Sequence, residues 1–212
     1  GFARATGDWR ALVADPAVEI VSITAPNILH KEMALAAIAA GKHVYCEKPL
    51  ARTLGEVRAV KAEAANRPKQ CTQMGNQGHT GDGMRIMREW VEAGVIGAVR
   101  EIHYWTNRPI WAQGIDRPTA AHNVPPTLDW NLWLGPAPER PYNPAYAPFS
   151  WRGWWDFGTG ALGDMACHGM DAAFWALGLK YPTRIIPETT KLYAETAPKS
   201  SRIEYHFPAA AG

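Results

Sequence analysis

The chain has 212 residues and a formal net charge of only +2, with 22 basic against 20 acidic side chains. It has no basic block, which argues against a nucleic-acid partner, and no apolar run near the roughly 18 residues of a membrane helix. Its three cysteines are odd in number and lack CxxC spacing, which argues against a disulfide framework and favours a reduced, cytoplasmic compartment.

The first half of the chain alternates short apolar runs with stretches of helical periodicity. Thr53 and Glu56 have the spacing of a capping box at the start of one of these helices. Alternating strands and helices predict a parallel sheet with helical crossovers, as in a Rossmann-like domain. The predicted strands are 18–24, 43–46 and 70–74, and the predicted helices are 30–40, 53–66 and 80–93.

Beyond residue 97 the pattern changes. Residues 99–106 (VREIHYWT) alternate like a strand with one buried face, and residues 107–150 are rich in proline. Further predicted elements are helices at 128–134 and 164–177 and strands at 183–187, 191–196 and 202–207. We therefore predict an α/β fold: a partial Rossmann-like domain over 1–97, joined to a partial α+β domain over 98–212.

The first strand leads into a helix through residues that could face a ligand. Ligands of open parallel sheets bind at the carboxyl ends of the strands, where helix N-termini present free amide groups. Thr24, Pro26 and Asn27 lie at this end, and His30 follows in the next turn. A simple strand-to-helix turn is the alternative interpretation.

The second strand delivers Glu47 and Lys48 to its carboxyl end, where Pro49 biases Lys48 toward an extended backbone. A lysine held there can hydrogen-bond a substrate hydroxyl and stabilise the negative charge that develops on oxygen as hydride leaves. A surface ion pair between Glu47 and a neighbouring lysine is the alternative.

The stretch GTGALGDMACHGMD, residues 158–171, combines glycines with polar residues at helical spacing. On a helix, Asp164, His168 and Asp171 share one face. Cys167 points about 100° away from His168, so we predict no metal site. The open alternatives are a catalytic Asp164–His168 pair and a structural histidine in a core helix.

The run TAPNILHKEMALAAIAAGKHVYCEKPLA resembles the Gfo/Idh/MocA oxidoreductases, and GTGALGDMACH resembles the glycine-rich D-x-x-x-H helix of that family. The resemblance covers essentially the whole chain. It implies that residues 1–97 are a partial dinucleotide-binding domain and that residues 98–212 are part of a domain with a large open, mostly antiparallel sheet. It also implies NAD or NADP as cofactor, a carbohydrate substrate, a homo-oligomer and a catalytic role for Lys48. The family's glycine-rich dinucleotide loop and its ribose-reading acidic residue are not found, so we expect a fragment truncated at both ends, in which the choice of cofactor stays open.

With this resemblance, the favoured hypothesis is an NAD(P)-dependent oxidoreductase that oxidises a secondary hydroxyl of a sugar, glycoside or inositol. His168 would accept the hydroxyl proton, Lys48 would polarise the oxygen and Asp164 would position the hydroxyl. The cofactor-binding candidates are Thr24, Pro26, Asn27, His30, Glu47, Lys48, Gln77, Trp151 and Arg152. The substrate-binding candidates are Lys48, Asn76, His79, Tyr104, Asp164 and His168.

Two other functions stay open. An NAD-dependent glycosidase would oxidise C3 transiently and eliminate the aglycone, with His79 or Tyr104 as a second base. A non-catalytic binding or scaffold protein is the third possibility, although the joint presence of Lys48, Asp164 and His168 argues against it.

Overall fold

The computed structural model describes residues 3–209. The chain divides into two compact units. Unit 1 ends at Gln77, and unit 2 begins at Gly78. The domain boundary near residue 97 stays a prediction. Within residues 3–209, no helix combines the length and the apolar character needed to cross a membrane.

Unit 1 consists of alternating helices and strands. Its strands pair in parallel in the order β1-β2-β3, which confirms the Rossmann-like class. In chain order, the elements are α1 (Trp9–Ala14), β1 (Ile20–Ile23), α2 (Asn27–Ala39), β2 (His43–Glu47), α3 (Leu54–Ala65) and β3 (Thr72–Gly75).

The core of unit 1 consists of small and branched side chains on these regular elements. Ala34, Ala37 and Ile38 of α2 are at most 1% exposed and belong to one cluster with apolar residues of β1 and β2. The predicted capping box is confirmed: the Thr53 hydroxyl accepts from the Glu56 amide, and the Glu56 carboxylate accepts from the Thr53 amide. The short apolar runs and the helical periodicity in this half of the sequence therefore correspond to observed strands and helices.

Unit 2 contains less regular structure. β4 and β5 form a two-stranded antiparallel sheet, with register from Arg184 opposite His206 to Thr189 opposite Ser201. The elements are α4 (Asp82–Glu92), α5 (Trp130–Leu134), a 3₁₀ helix (Ser150–Gly153), α6 (Gly160–Gly169), α7 (Asp171–Leu177), β4 (Arg184–Thr189) and β5 (Ser201–His206).

Three predictions for this unit were wrong. Residues 99–106 form no strand, because no described segment pairs with them, and Trp105 is 82% exposed. Residues 191–196 form no strand either, and only Thr196 makes an isolated bridge, to Trp154. The helix predicted over 164–177 is two helices that meet at Met170, next to a helix-weakening glycine, Gly169.

The irregular part of unit 2 is held by aromatic side chains with polar atoms. Trp154 is fully buried and its indole donates to the Ala145 carbonyl at 2.8 Å, while the Trp130 indole donates to the main-chain carbonyl of Arg140 at the same distance. The Arg140 guanidinium is itself buried and pairs with Asp156. Buried aromatic groups of this kind need a partner for the polar atom, and here distant main-chain carbonyls supply it.

Candidate functional site

The carboxyl edge of the unit 1 sheet gathers most of the predicted ligand-binding residues of this unit. Ile23, Cys46 and Met74 lie side by side in the register of β1, β2 and β3. The residues that follow them in each strand therefore reach one edge of the sheet. They are Thr24 and Pro26 after β1, Glu47 and Lys48 at the end of β2, and Asn76 and Gln77 after β3.

Glu47 owes its position to a glycine on the neighbouring strand. Gly75 stands opposite Glu47 in the register, and a Cβ atom on Gly75 would come within 2.7 Å of both the Glu47 carboxylate and the Tyr45 hydroxyl. A side chain at position 75 would displace these groups. Sequence reasoning missed Gly75, although a glycine inside a strand is a known sign of close approach.

The start of α2 meets the requirement for an anion-binding helix end. Pro26 occupies the N-cap position, and no side chain in the described part of the chain caps the helix. Pro26 and Asn27 are exposed. First-turn amides that no described side chain caps, at the carboxyl end of β1, are donors that suit a phosphate, so these residues fit one part of a dinucleotide.

His30 has partners that sequence reasoning did not foresee. Its ring is 1% exposed, with Nε2 2.7 Å from the Ala25 carbonyl oxygen and Nδ1 2.8 Å from the Pro49 carbonyl oxygen. Both ring nitrogens thus face main-chain oxygens of the protein. These contacts account for the ring without a cofactor, and the cofactor contact of His30 stays a prediction.

Cys46 lies beside this ring, with Sγ 3.5 Å from His30 Nδ1. Burial, followed by the charge of Glu47, raises the pKa of the Cys46 thiol to about 11. The group is therefore a neutral thiol at physiological pH and fills the core instead of acting as a nucleophile.

In unit 2, Asp164 and His168 lie one turn apart on α6, and both are half-buried. Their i, i+4 spacing places them on the same face of the helix, as predicted. The neighbouring Cys167 donates its thiol hydrogen to the Asp164 carbonyl at 3.3 Å. Within residues 3–209, no three His, Cys, Asp or Glu side chains come together as a metal-binding group.

Asp171 belongs to a different contact. It starts α7, and its Oδ2 accepts from His79 Nδ1 at 2.7 Å, while the His79 ring lies 4.9 Å from the Trp175 ring. A histidine whose Nδ1 is bonded to a carboxylate has a fixed orientation and presents Nε2 as its second nitrogen. His79 is therefore an oriented imidazole at the start of α7.

Tyr104 lies against α6 at the turn that carries His168. Its hydroxyl donates to the Met165 carbonyl at 3.4 Å, and a Cβ atom on Gly169 would collide with the ring. The phenol ring therefore packs directly against the main chain of Gly169, in the space that a side chain would occupy. The glycine was not among the predicted site residues, and its only signal was its place inside a helical stretch.

Arg152 lies among aromatic rings. Its guanidinium carbon is 4.5 Å from the centre of the Trp151 ring and 4.8 Å from that of Phe149, and Nη1 donates to the Phe149 carbonyl. Stacking of this kind orients an arginine at the cost of some of its freedom. The predicted contacts of Trp151 and Arg152 with a cofactor stay predictions.

The candidates therefore form two groups. Unit 1 carries the sheet-edge group around Lys48, and unit 2 carries the α6–α7 group around Asp164 and His168. A lysine after a strand end can polarise an oxygen, and a histidine imidazole can accept the proton of a hydroxyl. The first group suits a cofactor and an oxyanion, and the second suits an alcohol that loses its proton.

Comparison with known proteins assigns both units to one family. Residues 3–75 match the model described as "Oxidoreductase family, NAD-binding Rossmann fold", and residues 88–211 match "Oxidoreductase family, C-terminal alpha/beta domain". Both are Gfo/Idh/MocA models, and the second alone covers more than half of the chain. The resemblance that was drawn from EKP and GTGALGDMACH is confirmed.

Named relatives agree with this assignment. Levoglucosan dehydrogenase from Pseudarthrobacter phenanthrenivorans is 32% identical over 84% of the chain and 38% of its own length. Inositol 2-dehydrogenase from Pseudomonas fluorescens is 42% identical over 45% of the chain and 29% of its own length. The chain thus spans less than half the length of these relatives.

Among solved structures, a levoglucosan dehydrogenase in complex with NADH and levoglucosan has a TM-score of 0.60. It is 26% identical and covers 96% of this chain and 49% of its own. The α/β fold class is confirmed by this neighbour and by the parallel sheet of unit 1. The chain belongs to the Gfo/Idh/MocA family of oxidoreductases.

Proposed function

We propose that the protein oxidises a secondary hydroxyl group of a sugar, glycoside or inositol with NAD or NADP as the hydride acceptor. The observation that carries the proposal is Lys48, which directly follows the last residue of β2 at the carboxyl edge of a parallel sheet. The chain that carries it matches both domains of an oxidoreductase family. The substrates named in its relatives, levoglucosan and inositol, are the first to test.

In the proposed reaction, one C–H bond and one O–H bond of the alcohol break and a C=O bond forms. When bound, the nicotinamide supplies the acceptor for the hydride that leaves carbon. His168 takes the hydroxyl proton on its imidazole, and Asp164, one turn earlier on α6, positions that hydroxyl. The Lys48 ammonium donates to the same oxygen and stabilises its negative charge as the C–H bond breaks.

Dinucleotide binding would use the sheet-edge group of unit 1. The amides at the start of α2, which no side chain of the described residues caps, suit a phosphate. Polar groups along the same edge come from Thr24, Asn27, Glu47 and Gln77. NAD and NADP are both candidate cofactors, because no acidic or basic side chain among the described residues is assigned to the ribose.

The test uses the full-length protein with levoglucosan and myo-inositol, and follows reduction of NAD and of NADP. Lys48→Ala is expected to lower kcat about 100- to 1,000-fold, the loss typical of a missing oxyanion donor. Lys61→Ala, which removes an exposed lysine of α3, is the matched control and should keep the wild-type rate. A Lys48→Ala protein as active as wild type would overturn the assignment of Lys48.

The His79–Asp171 pair supports a second reaction, glycoside cleavage through transient oxidation at C3. In that reaction, a base removes the C2 proton, the aglycone leaves C1, water adds and the hydride returns to C3. His79 is better oriented for the role of base than Tyr104, whose hydroxyl already donates to Met165. Release of the phenol from an aryl glycoside without net formation of NADH, lost in His79→Ala, would favour this reaction over simple oxidation.

We also propose a cytoplasmic homo-oligomer with no nucleic-acid or membrane partner. The three cysteines are free thiols, as expected of a reduced compartment. Ile185 on strand β4 is 53% exposed. It provides apolar surface of the kind that a second copy of the chain could cover. Light scattering of the full-length protein tests the assembly, since a monomer at all concentrations would exclude it.

A further inference from the structure

We propose that His30 is a positioning residue for Lys48, which it serves by holding the loop that follows β2 at the Pro49 carbonyl. The inference rests on the proposed function, because it concerns the lysine that polarises the substrate oxygen. It assigns to His30 a role different from the direct cofactor contact that the sequence suggested.

The contacts of the ring define the role. From the first turns of α2, His30 reaches the Ala25 carbonyl beyond β1 with Nε2, at 2.7 Å. With Nδ1 it reaches the Pro49 carbonyl beyond β2, at 2.8 Å. One buried ring therefore joins the two loops at the edge where ligands of parallel sheets bind.

Lys48 stands between two fixed points of the main chain. On one side, Glu47 is paired with Gly75 as the last residue of the β2–β3 ladder. On the other side, the Pro49 carbonyl faces the His30 ring. Loss of the ring would leave the β2–β3 pairing at Glu47 intact and release only the Pro49 carbonyl. The main chain at Lys48 would then be less well fixed, although the sheet would remain.

The position of the ring protons decides which carbonyl the His30 ring can bond. A carbonyl oxygen only accepts hydrogen bonds, so each ring nitrogen must carry a proton to bond its partner. A neutral imidazole carries one such proton and bonds one of the two loops, whereas an imidazolium bonds both. The contact that matters for Lys48 is the one made by Nδ1, because Pro49 adjoins Lys48.

A space-filling histidine would behave differently, and the side-chain amides separate the two cases. The amide nitrogen of asparagine takes the position of Nδ1, and that of glutamine takes the position of Nε2. His30→Asn can therefore still donate to Pro49, whereas His30→Gln can donate only toward Ala25. A structural role would make the two variants equivalent.

The experiment measures kcat and KM of the full-length protein for three variants. His30→Leu is expected to lower kcat about 100-fold, the cost of a misplacement of about 1 Å in a catalytic group, with little change in the KM of the cofactor. His30→Asn should restore most of kcat and His30→Gln should not. A protected ring N–H proton of His30 in the NMR spectrum of the wild type should vanish in His30→Leu.

His43→Leu is the matched control. The His43 ring also bonds the main chain, since Nδ1 accepts from the Cys71 amide at 2.9 Å, but it does so at the start of β2. This variant should lose stability and keep kcat. Denaturant unfolding of every variant separates lost folding from lost positioning, and the Asn and Gln pair still decides if His30→Leu does not fold.

Three results would overturn the inference: wild-type kcat in His30→Leu, equal kcat in His30→Asn and His30→Gln, or an equal loss of kcat in His43→Leu. In each case the wild-type protein is active, so the proposed function stands. A wild-type protein that oxidises none of the polyols would instead overturn the proposed function, and this inference with it.

Discussion

In unit 1 most of the buried side chains are small or aliphatic and lie on regular elements, such as Ile38 on α2 and Val44 on β2. In unit 2 the largest fully buried side chains are Trp154 and Tyr146, which lie outside its α-helices and strands. The backbone of unit 1 bonds mainly to itself along ladders and helices. In unit 2, side chains bond main-chain groups that are distant in the sequence.

Gln113 shows how the second kind of structure works. Its side-chain oxygen accepts from the Ala161 amide at 3.0 Å and from the Trp111 indole at 3.1 Å, and its amide nitrogen donates to Pro198 at 2.6 Å. One side chain thus joins three segments that share no secondary structure. Stability is therefore spread over many similar contacts in unit 1 and concentrated in a few residues in unit 2.

The largest effect is expected from Trp154→Ala. Removing this fully buried ring should lower the free energy of unfolding of unit 2 by about 3–5 kcal/mol, because it leaves a cavity and an unpaired Ala145 carbonyl. Denaturant titration followed by tryptophan fluorescence measures the loss. Trp105→Ala is the control, since Trp105 is 82% exposed and should change stability by less than about 0.5 kcal/mol.

Cys46 provides a separate measure of unit 1 in the same experiment. Its thiol is 1% exposed and lies in the unit 1 core, so a thiol reagent reaches it only when that core opens. Trp154→Ala should leave the labelling rate of Cys46 unchanged below the unfolding transition. Faster labelling would mean that the unit 1 core depends on Trp154, and the two units would then not be stabilised separately.

Ile38→Ala tests unit 1 in turn. Ile38 is 1% exposed between α2 and the sheet, so its truncation should cost about 2–5 kcal/mol and accelerate labelling of Cys46 in denaturant. Ile38→Val should cost only about 0.5–1.5 kcal/mol, because neighbouring aliphatic groups share the packing. Ile20→Ala, at a residue that is 64% exposed, is the control. Equal losses in all three variants would contradict a distributed core.

A smaller effect is expected from Gln113→Leu. This change keeps the volume and removes the polar atoms, so the Ala161 amide and the Pro198 carbonyl lose their partner at a cost of about 1–3 kcal/mol. Gln73→Leu, on the exposed side of β3, should be nearly neutral. If Gln113→Leu proved as neutral as Gln73→Leu, side-chain bonds to distant main chain would not be what holds unit 2.

The same difference explains how far the sequence could be interpreted. The three strands of unit 1, its helices and the Thr53–Glu56 box are local patterns, and the structure contains them within a few residues. The strand predicted over 99–106 failed because a strand needs a partner that alternation alone does not reveal. For the site, the order of strand ends placed Lys48 at the sheet edge.

Contacts made across the sequence escaped prediction. The two carbonyl partners of His30 are separated from it by 5 and 19 residues, and the fit of Tyr104 over Gly169 joins segments 65 residues apart. No periodicity encodes such pairs, because each depends on the tertiary path of the chain. Polar residue types showed that these positions matter, but not which atoms they meet.

The smallest effect is expected at the cap of α3. Thr53→Ala removes the hydroxyl that accepts from the Glu56 amide at 3.3 Å, and should lower the stability of unit 1 by about 1 kcal/mol. Thr53→Ser keeps the hydroxyl and should restore most of that loss. Because residue 53 is exposed, no cavity confuses the result, and labelling of Cys46 in denaturant measures it. If serine restored nothing, the local pattern that predicted this helix would not be what stabilises its start.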